Sequence, residues 1–117
     1  MIYPQEIEVW YVLPTIRKEL SEELVKQGLS QKEIALKLRL TEAAVSQYIN
    51  EKRANKSKLD NDMRNAIQEA AKRIINNASI MKEIQDLSKL FWQTRAICKI
   101  HMRHDKSISK NCKLCFE

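Results

Sequence analysis

The sequence predicts an all-α fold of about five helices, followed by a short tail that carries cysteine and histidine. Three observations predict it. A single glycine and two prolines among 117 residues leave few of the residues that tight strand turns need. Apolar residues recur at three- and four-residue spacing through most of the chain, which is the period of an amphipathic helix. All three cysteines lie within residues 98–117, which indicates a separate element with its own chemistry.

The composition is that of a globular protein, with 44% hydrophobic and 31% charged residues. The apolar runs are too short to cross a membrane and the N-terminus lacks a signal-peptide pattern, so we expect a cytoplasmic protein without a membrane partner. The net charge of +6 favours a polyanionic partner such as a nucleic acid.

The first helix is predicted over residues 4–27. Pro4 suits a first helical turn, where its missing N–H costs nothing. Pro14 interrupts the apolar register, so we expect a kink or a break there. Gly28 follows the last turn, in the position where a left-handed cap is needed. The apolar positions of this helix are Ile7, Trp10, Leu13, Ile16, Leu20 and Leu24.

Two short capped helices are predicted next, within the stretch LSQKEIALKLRLTEAAVSQYINEKR. Ser30 and Glu33 form a capping box at the start of the first helix, and Thr41 is the N-cap of the second. The positions expected to be buried are Ile34, Ala35, Leu38, Val45, Tyr48 and Ile49. Two capped helices joined by a tight turn and followed by basic residues indicate a helix-turn-helix, with an ordinary helical hairpin as the alternative.

This stretch resembles the helix-turn-helix of the phage-repressor and Cro type, the XRE-like class. The matching positions are Ser30 and Gln31, the small Ala35 where the helices cross, Leu38, Thr41 and Val45. The wider chain, with its C-terminal Cys/His cluster, also resembles a group of short archaeal regulators of that class. Arg39 departs from the pattern, because the turn usually carries glycine there; a non-glycine residue is therefore expected at positive φ, at about 1 kcal/mol.

The resemblance implies a regulator that binds double-stranded DNA and is not an enzyme, with its second helix in the major groove. The implied DNA-binding residues are Gln31, Thr41, Glu42, Ala43, Ala44, Ser46, Gln47, Lys52, Arg53 and Lys56. Gln47 suits bidentate pairing with adenine, and the alanines suit thymine methyl groups. Gln31 and the basic residues after the second helix suit phosphates. Solvated helix residues and a solvated loop are the alternatives.

The chain after the basic stretch is predicted to form further helices. One helix begins near Leu59, Asn76 and Asn77 mark a turn, and Ser79 caps a last long helix that runs into the cysteine segment. The apolar positions are Leu59, Met63, Ile67, Ala70, Ala71, Ile74 and Ile75, then Ile80, Ile84, Leu87, Phe91, Trp92 and Ile97. The expected organisation is a DNA-binding region at 1–58, a supporting or dimerising region at 59–97 and a metal-binding tail at 98–117.

A homodimer is expected, because a single helix-turn-helix covers few base pairs and two copies read two half-sites. The helices of residues 59–97 and the region of Trp10 and Tyr11 offer apolar surface for the contact. In a monomer the same stripes would be core.

The tail carries a candidate metal site. Cys98 and His101 are three positions apart near the end of a helix, hence on one face, and Cys112 and Cys115 form a C-x-x-C pair. Together they make a Cys3His set that suits tetrahedral zinc. The same ligands suit an iron–sulfur cluster that senses redox state, oxygen or iron. A redox-active or free thiol pair is the third interpretation, and His104 is an alternative nitrogen ligand.

Two other functions compete with a DNA-binding regulator. The first is an adaptor in transcription whose helix-turn-helix and zinc tail bind protein; steep salt dependence of duplex binding would distinguish the regulator from it. The second is a thiol oxidoreductase, which is disfavoured because no strand–helix–strand pattern surrounds the C-x-x-C pair.

Overall fold

The computed structural model describes residues 3–50 and 59–104, and every regular element in those two ranges is helical. The elements are α1 (Pro4–Ile7), a π-helical segment (Glu8–Val12), α2 (Leu13–Lys26), α3 (Gln31–Leu38), α4 (Glu42–Asn50), α5 (Asn61–Ile75), α6 (Ile80–Gln93) and α7 (Ala96–His104). The prediction of an all-α fold is confirmed. None of the described helices has the length and apolar character that crossing a membrane requires.

The disturbance expected at Pro14 takes the form of the π-helical segment. α1, this segment and α2 follow one another without a gap, so the chain is helical from residue 4 to residue 26. Pro14 has no N–H to donate to the carbonyl four residues earlier, and its ring would collide with that carbonyl. The N–H of Leu13 instead reaches the carbonyl of Glu8, at five-residue spacing. The wider turn accommodates the proline without breaking the helix.

Gly28 ends α2, as the sequence predicts. Its φ is +95°, where a side chain would be strained. The N–H of Leu29 bonds to the carbonyl of Leu24 at 3.1 Å, and the N–H of Gly28 bonds to that of Val25 at 2.9 Å. This pair of bonds is a Schellman motif, which satisfies two carbonyls at the helix end and directs the chain into α3.

The core is built around α2, which packs against α3, α4, α5 and α6. The apolar positions that the sequence assigns to one face of each helix supply most of it. The buried apolar side chains are Ile7, Val12, Ile16, Leu20, Leu24, Ile34, Ala35, Leu38, Val45, Met63, Ile67, Ala70, Ala71, Ile74, Leu87, Phe91 and Ile97. The stripe of α5 therefore lies in the core of the single chain.

The last long helix of the prediction is two helices. α6 ends at Gln93, the hydroxyl of Thr94 bonds to the carbonyl of Leu90 at 2.8 Å, and Arg95 adopts a φ of +62°. This left-handed residue reverses the chain, so that α7 packs against α1, α6 and the π-helical segment. The reversal buries Ile97, whereas a continuous helix would carry it away from the core.

Candidate nucleic-acid interface

The start of α3 is fixed by the capping box that the sequence predicts. Oγ of Ser30 accepts the N–H of Glu33 at 3.2 Å, and Oε1 of Glu33 accepts the N–H of Ser30 at 3.0 Å. Hydrogen bonds to the Glu33 carboxyl from the backbone N–H and from the side chain of Ser30 hold the pKa of Glu33 below its ordinary value. Gln31 is the first residue of α3, and its side chain is exposed beside this cap.

The turn between α3 and α4 is closed by Arg39 in the left-handed conformation, with φ 55° and ψ 44°. The carbonyl of Ala35 accepts the N–H of Arg39 and, at 2.9 Å, the N–H of Leu40. The positive φ expected at Arg39 is confirmed. The turn is short enough that α4 begins at Glu42.

The orientation of α4 is set by its cap, Thr41, and by one buried residue, Val45. Oγ1 of Thr41 accepts the N–H of Ala44 at 3.0 Å, which confirms the predicted N-cap. Val45 is fully buried and fixes the rotation of α4 about its axis. The side chains of Glu42, Ala43 and Gln47 are consequently exposed.

The remaining positions of α4 lie at the edge of that face. Ala44 and Ser46 are half-buried rather than fully outward, and Oγ of Ser46 accepts a hydrogen bond from Nδ2 of Asn50 at 3.3 Å. Tyr48 and Ile49, which were predicted to be buried, are only half-buried, and Ile49 packs against the core. The base-reading candidates on α4 that are exposed are therefore Glu42, Ala43 and Gln47.

The family comparison matches this part of the chain. The helix-turn-helix family model HTH_3 matches residues 20–59, which include the second half of α2, both capped helices and the turn between them. Residues 20–59 therefore form an XRE-type helix-turn-helix. This decides between a helix-turn-helix and an ordinary helical hairpin. No curated protein and no solved structure matches the chain significantly.

A contact that was not predicted from the sequence joins the helix-turn-helix to the C-terminal end of α5. Nζ of Lys37 donates to Oδ1 of Asn77 at 2.7 Å and lies 3.4 Å from the carbonyl oxygen of Ile75. These oxygens lie at the C-terminal end of α5, where the helix dipole favours a cation. The Lys37 contact thus holds α3 against the C-terminal end of α5.

The positive charge of the helix-turn-helix lies outside α4. α4 contains no lysine or arginine, and its single charged residue is Glu42. Lys32 and Arg39 are exposed on α3 and in the turn. The basic residues predicted to hold phosphates after α4 lie outside the described residues; they are Lys52, Arg53 and Lys56.

The candidate metal ligands fall partly within the structure. Cys98 and His101 both lie on α7; Cys98 is half-buried against the core and His101 is 7% exposed, so both are on the inner side of the helix. Cys112, Cys115 and the side chain of His104 lie outside the described residues. Within residues 3–50 and 59–104, no three potential ligands cluster.

The apolar surface left outside the core lies in a few places. On the π-helical segment, Val9 and Trp10 are 57% and 54% exposed next to each other. Met81 on α6 is 73% exposed. Tyr11 is half-buried against the core, so of the two aromatic residues predicted to offer spare surface, Trp10 offers the larger area.

Proposed function

We propose that the protein is a sequence-specific DNA-binding transcriptional regulator that inserts α4 into the major groove. One observation carries the proposal. The first two turns of α4 expose Ala43 and Gln47, while Thr41 caps the helix and Val45 anchors it from behind. A capped helix whose outer face is exposed meets the geometric requirement for reading base edges.

The test is binding of the full chain to labelled DNA duplexes over a range of salt concentrations. We expect affinity to fall steeply as salt rises, because each phosphate contact releases counterions. Repeated selection from a random duplex pool should then enrich one sequence motif. Binding that is absent or insensitive to salt would overturn the proposal and favour the protein-binding adaptor instead. Enrichment without any motif would leave a non-specific DNA-binding protein.

The regulator is proposed to act as a homodimer. Val9 and Trp10 support this, since two large adjacent apolar side chains are exposed on a segment whose neighbouring residues are tied into the core. Light scattering on the full chain should give twice the mass of one chain. The Trp10→Lys variant should give the mass of one chain, with an unchanged circular dichroism spectrum. Leu36→Lys, at an exposed leucine on α3, is the matched control and should leave the mass unchanged. A monomeric wild-type protein would overturn the proposal.

The tail is proposed to form a metal centre with Cys98, His101, Cys112 and Cys115. The support is the shared inner face of Cys98 and His101 on α7, together with a donor set that both zinc and an iron–sulfur cluster accept. Reduced thiols of this kind fit a cytoplasmic protein. Zinc would stabilise the fold, whereas a cluster would link DNA binding to redox state.

Anaerobic purification followed by visible absorption and assay of zinc, iron and sulfide separates these two centres. One zinc per chain and no colour would identify a structural site. Brown protein with iron and labile sulfide would identify a sensor. Cys112→Ser should lower the metal content in either case. Absence of any metal from the purified wild-type protein would overturn the proposal.

A further inference from the structure

We propose that Arg39 binds a DNA phosphate from the turn between α3 and α4. This inference rests on the proposed function, because it assigns a phosphate contact to the same surface. The phosphate contacts expected from the sequence lie at Gln31 and after α4; Arg39 adds one at the opposite end of the recognition helix. Three features of Arg39 support the assignment: its backbone conformation, the charge balance around it and its position.

The backbone of Arg39 is held where arginine is disfavoured. Its φ of 55° is comfortable for glycine and strained for a residue with a side chain. The hydrogen bonds of Arg39 and Leu40 to the carbonyl of Ala35 hold the turn in this shape. A strained residue persists where surrounding structure fixes it, and such residues concentrate at functional sites. A glycine would make the same turn without strain, so the arginine side chain needs a separate explanation.

The charge balance of the helix-turn-helix offers an explanation for an arginine at this position. Residues 30–50 contain three basic residues, Lys32, Lys37 and Arg39, and α4 contributes none of them. Lys37 is engaged with Asn77, two residues after the end of α5. The exposed guanidinium of Arg39 makes no hydrogen bond or ion pair with any residue of the described ranges. A helix that enters the groove between two phosphate strands without a cation of its own needs cations from its flanks.

Arg39 places a cation on the N-terminal flank of α4. Arg39 lies two residues before Thr41, the cap of the α4 end that is proposed to enter the groove. Guanidinium has the fork of N–H donors that matches a phosphate. The amide groups at the start of α4 add positive potential at the same place. An anion held there would be shared between the side chain of Arg39 and the helix terminus.

The experiment measures binding of the full chain to a mixed-sequence duplex, since non-specific binding reports phosphate contacts without a known operator. For Arg39→Ala we expect weaker binding at low salt and a slope of log affinity against log salt that is smaller by about 0.9, the value for one phosphate. Arg39→Lys should retain most of the slope, because it keeps the charge. Arg39→Gly should reduce the slope by the same amount as Arg39→Ala but raise the Tm, because it also relieves the strain.

Lys89→Ala is the control, because it removes an exposed cation from α6 and should leave the slope unchanged. If Arg39→Ala bound with the wild-type slope, or changed only the preferred base sequence, the phosphate assignment would be wrong while DNA binding stood. If the wild-type protein itself bound duplex without salt dependence, the proposed function would fail, and the inference with it.

Discussion

The indole N–H of Trp92 donates a hydrogen bond to Oε2 of Glu8 at 2.6 Å, and the hydroxyl of Ser88 donates to the same oxygen at 2.8 Å. Ser88 and Trp92 lie one turn apart on α6, whereas Glu8 opens the π-helical segment near the start of the chain. All three side chains are half-buried. One carboxylate therefore joins two elements that are far apart in sequence.

Replacing Glu8 by alanine should destabilise the protein by about 2 kcal/mol. The change removes two hydrogen bonds to a charged acceptor and leaves the half-buried donors of Ser88 and Trp92 without it. Removing only one partner of a hydrogen bond costs more free energy than replacing both partners, because the remaining polar group is left unsatisfied. The free energy of unfolding from urea titration, followed by circular dichroism, measures the effect.

Two variants control for other consequences of that change. Trp92→Phe removes the indole donor, and in combination with Glu8→Ala it should show less than additive destabilisation, because the two side chains share one interaction. Gln5→Ala, at an exposed position on α1, should change stability by less than about 0.5 kcal/mol. Equal effects of Glu8→Ala and Gln5→Ala would contradict the role assigned to Glu8.

Arg73 and Glu83 brace the turn between α5 and α6. Nε of Arg73 lies 2.9 Å from Oε2 and 3.1 Å from Oε1 of Glu83, and Nη2 lies 3.0 Å from Oε1. The Glu83 side chain is 7% exposed and that of Arg73 is 54% exposed. The hydrogen bonds to Glu83 raise the pKa of Arg73 above its usual range. The carboxylate thus depends on one partner for most of its compensation.

Arg73→Met should therefore lower the free energy of unfolding by about 2 kcal/mol, because a buried carboxylate loses its charged donor. The double variant with Glu83→Met should recover part of that loss, since an apolar pair has no unpaired charge. Lys72→Met is the control, because Lys72 and Glu69 are 3.6 Å apart with both side chains 60% exposed. Loss of this exposed pair should lower the free energy of unfolding by about 0.5 kcal/mol or less. A similar loss for both single variants would argue against a special role for Arg73.

Local chemistry made part of the fold predictable. The caps at Ser30 and Thr41 and the left-handed Gly28 each depend on atoms within a few residues, so the sequence contains both partners of every bond. The buried faces of the helices were also predictable, because a 3.6-residue repeat of apolar residues identifies a buried face without knowledge of what packs against it. The exposed face of α4 follows from the same repeat once Val45 is assigned to the core.

The rest depended on contacts between distant residues. Lys37 meets Asn77 and Glu8 meets Trp92 only after the helices have packed, and no periodicity signals a polar partner on another helix. The break between α6 and α7 was also missed, because Thr94 and Arg95 are neither glycine nor proline. Its cause lies in packing, since the reversal buries Ile97.

Acid should weaken the cap of α3 through Glu33. The pKa of this carboxyl is lowered from 4.5, so its charged form stabilises the folded state. That contribution is complete above pH 4.5 and is lost as pH falls through the lower folded pKa. Glu33→Gln should accordingly be less stable than the wild type at pH 7 and should converge with it in acid. Parallel melting curves between pH 7 and pH 3 measure the difference.

Ionisation of Glu22 should have the opposite effect on stability to that of Glu33. Partial burial, and secondarily the charge of Glu19, raise the pKa of Glu22 above 4.5, so its charged form disfavours the folded state. The penalty is full above the folded pKa and disappears as pH falls to 4.5. Glu22→Gln should raise the Tm at pH 7 and lose that advantage in acid. A constant difference between the two curves at every pH would rule out titration of Glu22 as the cause.

Gln47 should determine which base the recognition helix prefers, not how tightly the protein holds DNA in general. Gln47→Ala should weaken binding to a duplex selected by the wild-type protein by about tenfold, within the range for a bidentate contact to adenine. The salt slope should not change, because no charge is removed. Gln68→Ala, an exposed glutamine on α5, is the matched control and should bind like the wild type. Selection with Gln47→Ala should relax one position of the motif; an unchanged motif would place base recognition on other residues of α4.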